Sequence, residues 1–188
     1  MKKLTVEDLE NIEKTLNIDQ KDPYIFSYRY LIQFFRQIKS FSSSDAVICA
    51  SLVYSWMPTI LNLKDDLINK IPPLLNNAKN CQELSKIDLN VLKTFVNNSI
   101  VGASKLLHFI SPDYYPIWDR KICNFLLGKS YSYIVNNISN YLGYVDFCRS
   151  FSTLDLFNPI YFSLQKKVGY KFTRLRAIEL ILFYASKK

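Results

Sequence analysis

Glycine is scarce in this chain, 4 in 188 residues beside 7 prolines. A sandwich or barrel spends turn residues about every 8 to 12 positions, so this supply all but excludes an all-β fold. Histidine is scarcer still: His108 stands alone, which leaves a Ser-His-Asp triad or a Cys-His dyad a single residue on which to rest. The four cysteines, Cys49, Cys81, Cys123 and Cys148, form no CxxC pair, and neither a zinc ribbon nor an iron–sulfur loop is built without such clustering. The expectation is therefore no structural metal and no cofactor. The N-terminus, MKKLTVEDLE, carries no signal-peptide pattern, so reduced thiols and a cytoplasmic location are expected. No apolar run reaches 18 residues; AIELILFYA near the C-terminus is broken by Glu179, and no membrane span is expected. The phosphate-loop, dinucleotide-fold, zincin and hydrolase-elbow motifs are all missing.

What remains is a hydrophobic, basic chain. Apolar residues make up 49% against 21% charged, enough to build a packed core and inconsistent with general disorder. The length suits a single all-helical domain, with two lobes as an option: a central one over about 24–128, and flanking helices from 1–23 and 129–188. The net charge of +8 favours an anionic partner. Residues 1–94 hold 12 basic and 11 acidic side chains, whereas 95–188 hold 12 and 5. A polyanion footprint is expected in the second half.

Periodicity and punctuation predict about ten helices and no strand, an all-α fold. Thr5 and Asp8 read as a capping box before Leu9, Ile12 and Leu16. Pro23 suits the first turn of YIFSYRYLIQFFRQIKSF, which is apolar nearly all round and is expected at the centre of the core. Serines before Asp45 offer caps for AVICASLVYSWM, and the YSWMP end is read as packing. TILNLKDDLINKI is expected to run as a helix up to Pro72-Pro73, followed by a turn over 76–83 and a helix capped by Asp88. Gly102 is expected between that helix and SKLLHFI. IWDRKICNFLL should end at Gly128, and three stretches follow, over about 131–147, 153–166 and 170–185, the last two joined at Gly169.

The chemistry concentrates in residues 99–122, SIVGASKLLHFISPDYYPIWDRKI. Val101-Gly102-Ala103-Ser104-Lys105, then Pro116-Ile117-Trp118-Asp119, resemble the two signature elements of the helix-hairpin-helix DNA glycosylase superfamily, particularly its 8-oxoguanine glycosylase-like branch. The resemblance covers about 25 residues. It implies a helix-hairpin-helix glycosylase-like fold, duplex DNA as partner, and excision of a damaged or modified base. Asp119 would be the essential carboxylate and Lys105 a nucleophile forming a Schiff base with the sugar. Physically, a helix N-terminus attracts phosphate, and burial near one lowers a lysine pKa. Gly102 would let the DNA backbone approach, Ser104 would stand beside it, and His108 would share the face of Lys105. Trp118 would stack on a base, with Tyr114 and Tyr115 nearby. Arg120 and Lys121 would face phosphate, as would the basic cluster of Lys166, Lys167, Lys171, Arg174 and Arg176. Family hairpins carry two or more glycines, this one a single glycine, and only 14 positions separate Lys105 from Asp119. Those departures favour an alternative: a noncatalytic DNA-binding or protein-partner-binding module of the same fold.

Overall fold

Helix after helix in this chain begins at a side-chain cap. A computed structural model describes residues 1–186, and among them are eleven α-helices, two short 3-10 turns and no strand. Thr5 and Asp8 bond reciprocally ahead of α1 (Val6–Lys14), satisfying donors the first turn cannot use itself. Asp22 caps α2 (Pro23–Gln37), with Pro23 in the first position. Ser42 and Asp45 repeat the box before α3 (Ser43–Trp56), and Ser85 with Asp88 before α5 (Lys86–Phe95). Asp88 is thus the third residue of α5 and Ser85 its cap.

Several expectations fail for physical reasons. α2 is not enclosed: Ile25, Tyr28, Ile32 and Phe35 face inward, while Tyr24, Phe26, Tyr30 and Phe34 are exposed. A helix buries one stripe at 3- to 4-residue spacing, whatever the character of its other face. The stretch after Pro58 is not a helix either. Residues 59–64 are irregular, Leu63 makes a lone bridge to Val96, and a 3-10 turn follows at Asp65–Lys70. Pro72 and Pro73 then sit in the opening turn of α4 (Ile71–Lys79), where no amide donor is needed. The prolines start a helix instead of stopping one, and 76–79 is helical.

The central helix is α6 (Ile100–Ile110), nine of whose eleven residues are buried and which packs against α2, α3, α4 and α5. It follows α5 through a turn at 96–99 in which Asn97 and Asn98 take positive φ, 57° and 48°. Gly102 lies inside α6, beyond this turn. A Cβ there would stand 2.1 Å from the Tyr54 hydroxyl, so the glycine admits Tyr54 of α3, whose hydroxyl donates to the Val96 carbonyl at 3.0 Å. It does not open the backbone to DNA.

A loop over 111–119 leads to α7 (Arg120–Leu127), ended by Gly128 at φ 67°. Then come α8 (Ser132–Val135), α9 (Ile138–Ser152), α10 (Asn158–Val168), which ends at Gly169, and α11 (Arg174–Ala185). One apolar cluster draws members from all eleven helices. No helix of the described residues is long and apolar enough to cross a membrane.

Candidate active site

Lys105 stands in the second turn of α6, one residue after Ser104, and Asp119 caps α7, one residue after Trp118. The Ser104 hydroxyl accepts from the Trp118 N–H at 3.1 Å and lies 2.9 and 3.2 Å from the Val101 and Trp118 carbonyls, between which its proton is shared. This clamp holds α6 against the loop. Asp119 Oδ1 accepts from the Ile122 N–H at 2.8 Å, which fixes the carboxylate and leaves its second oxygen uncommitted to the cap.

Both side chains line one cavity of about 270 Å³, together with Trp56, Met57, Glu179 and Phe183. The start of α2 closes another side through Tyr24. The Lys105 ammonium lies 5.5 Å from the centre of the Trp56 ring, and among the described residues it forms no salt bridge. Burial holds its pKa below the ordinary lysine value; the negative charges of Asp119 and Glu179 pull it back up, and Arg176 pushes it further down. An amine with a lowered pKa and no carboxylate partner has the properties of a nucleophile.

Arg176 and Glu179, one turn apart on α11, form a buried ion pair that also lines the cavity. The Arg176 guanidinium lies 4.4 Å from the Tyr28 ring centre. Burial pushes the Glu179 pKa above the ordinary carboxylate value, against the opposing pull of Arg176.

Several residues expected on a DNA surface are in the interior. His108 is fully buried, with Nδ1 2.7 Å from the Tyr115 carbonyl and Nε2 2.8 Å from the Tyr28 hydroxyl. A carbonyl only accepts, so Nδ1 carries the proton and Nε2 accepts from Tyr28. Burial first, and then Arg176, depress its pKa to about 3. Trp118 is enclosed, donating from Nε1 to the Val135 carbonyl at 2.8 Å, and cannot stack on a base. Gly102, Ser104 and Arg176 are likewise enclosed, and so is Tyr115.

The basic cluster does not form one face. Lys167 pairs with Glu13 at 2.9 Å, and Arg174 donates to the Leu154 carbonyl. Lys166 and Lys171 remain exposed. Arg120 and Lys121 are exposed beside a second depression of about 510 Å³, which also touches Asn97 and Asn98.

Trp56 and Met57, read from sequence as packing, thus face the cavity. Arg176 of α11, expected on a phosphate-facing cluster, lines the cavity instead, and Glu179 of the same helix was missed from sequence. Its signal was there: Glu179 is a lone charge in an apolar run, and 176, 179, 180 and 183 fall on one helical face. No group of three or more His, Cys, Asp or Glu among the described residues could hold a metal ion. Comparison with known proteins finds no match, whether to family models, to curated proteins or to solved structures.

Proposed function

We propose that this protein excises a damaged or modified base from DNA, with Lys105 as nucleophile and Asp119 as the charge-stabilising carboxylate. One observation carries this reading: an under-paired, partly desolvated lysine and a fixed aspartate, from the two sequence elements that resemble the glycosylase superfamily, meet in a single cavity lined by aromatic rings.

The chemistry follows from those groups. A nucleotide is first turned out of the stack, at a cost of a few kcal/mol. The unprotonated Lys105 amine attacks the sugar C1′, and the C1′–N bond breaks with its electron pair leaving on the base. The Asp119 carboxylate stabilises the positive charge that develops on the sugar. The departing base takes its proton from solvent. One amine proton then passes to the ring oxygen O4′ as the C1′–O4′ bond breaks, leaving a protonated Schiff base between Lys105 and C1′.

Incubating the protein with duplex DNA containing an abasic site or a modified base, in the presence of borohydride, tests this. A covalent adduct is expected, and it should be lost in Lys105→Ala. No adduct and no released base across a broad lesion panel would overturn the reading.

A second reading rests on Gly102, which is enclosed beneath Tyr54 and leaves Asn97 and Asn98 at the α5–α6 turn. That arrangement suits a module that binds DNA without acting on it. Under this reading, Asp119→Asn retains DNA as well as the parent chain and no adduct forms.

A further inference from the structure

The outward face of α2 is unexplained by the cavity or by the core. Phe26 and Tyr30, four residues apart, are each about half exposed, with ring centres 5.4 Å apart. The Arg29 guanidinium lies 5.2 and 4.8 Å from those centres and donates to the Tyr30 hydroxyl at 3.0 Å. The buried stripe of the helix is already complete without these rings, so folding alone does not require them.

Beside this ridge, between α2 and the segment leading into α11, runs a groove of about 450 Å³. Every charged residue lining it is cationic: Arg29, Arg36 and Lys171. None of the three is in a salt bridge among the described residues, and α2 itself contains no acidic residue. The surface therefore offers flat rings next to three cations that no salt bridge engages, with Asp113, beside Pro112, the acidic residue at its margin.

We propose that this face binds single-stranded nucleic acid, with bases stacked on Phe26 and Tyr30 and the phosphate backbone following Arg29, Arg36 and Lys171. Single strands combine open base faces with phosphate charge, and proteins that hold them pair a cationic groove with aromatic platforms. A duplex hides its base faces and would leave the rings without partners. An apolar protein surface would cover the rings but leave three cations unanswered. The proposal concerns binding and is independent of base excision.

Fluorescence anisotropy on the full chain tests it, using a labelled oligodeoxythymidine of about 12 nucleotides, with heparin as a polyanion lacking bases. The oligonucleotide should bind with an affinity that falls as salt rises. Replacing both rings, F26S with Y30S, should weaken that binding about tenfold or more while heparin affinity stays within about twofold. F26L with Y30L, which keeps apolar bulk and helix propensity but removes the flat rings, should lose affinity in the same way. Arg36→Gln with Lys171→Gln should weaken both probes. Because each ring is only half buried, the thermal midpoint should fall by no more than a few degrees, and anisotropy is read well below it. The proposal is overturned by absence of oligonucleotide binding, by ring variants that bind as the parent does, or by ring variants whose losses are equal on both probes. It is equally overturned if sedimentation shows a self-association that the ring variants abolish, which would make the face a contact between copies of this chain.

Discussion

Ser104 and Trp118 are joined through the Ser104 hydroxyl, which accepts from one backbone group of Trp118 and faces the other. Each residue directly precedes a candidate reactive group, Lys105 in one case and Asp119 in the other. The separation of amine and carboxylate is therefore set by a clamp on their backbone neighbours, and no salt bridge between the two is needed.

Ser104→Ala removes the acceptor for the buried Trp118 N–H. It should destabilise the fold by about 1–3 kcal/mol, measured by denaturant unfolding. Adduct yield in the borohydride assay should drop further than the unfolded fraction accounts for, because Lys105 and Asp119 lose their common frame. A yield that merely tracks folding would show that the clamp has no positioning role.

Gly102→Ala places a methyl 2.1 Å from the Tyr54 hydroxyl, which must then give up its bond to Val96. A loss of about 2–4 kcal/mol is expected from overpacking and the broken hydrogen bond together. Adding Tyr54→Phe should restore part of it, since the nearest clashing atom is removed. If the single variant is as stable as the parent, α3 and α6 are not in the contact described.

On the proposed mechanism, the pH dependence of Schiff-base formation reports on Lys105. Burial lowers its pKa while Asp119 raises it, so neutralising the carboxylate in Asp119→Asn should move the alkaline-rising limb of the rate profile to lower pH. The rate itself should fall, because the developing positive charge loses its partner. A limb that stays in place would mean that the two groups do not sense each other across the cavity.

His108 is neutral when folded, with a pKa of about 3, and titrates near 6.5 when unfolded; its contribution to stability grows with pH between those values. The slope is about 1.4 kcal/mol per pH unit. His108→Gln, which keeps a donor for Tyr115 and an acceptor for Tyr28, should flatten that slope. Chemical denaturation at several pH values across the window checks it, and a variant that keeps the parent's slope would place the titration on another group.

Local signals were legible in the sequence and long-range ones were not. The box of Thr5 and Asp8, Pro23 in a first turn, and Gly128 closing α7 are short-range chemistry that fixes its own geometry. Pro72-Pro73 was ambiguous because proline both precedes and opens helices. The motif put Lys105 and Asp119 forward as a pair, but neither the cavity they line nor its walls. Trp56, Arg176 and Glu179 arrive from α3 and α11, separated by more than half of the chain, and no periodicity within either helix encodes which helix it will face. The outward rings of α2 were misassigned to the core because composition reports hydrophobicity and leaves orientation open.

Lys105 rides on α6, the helix with the deepest burial and with neighbours on four sides. Its amide hydrogens can reach solvent only when the surrounding helices separate, so their isotope exchange should be governed by global unfolding, whereas the four-residue α8 should exchange by local fraying. The Lys105 amine thus shares the lifetime of the native state: whatever slows the opening of the whole molecule also prolongs the time for which that side chain stays in its cavity.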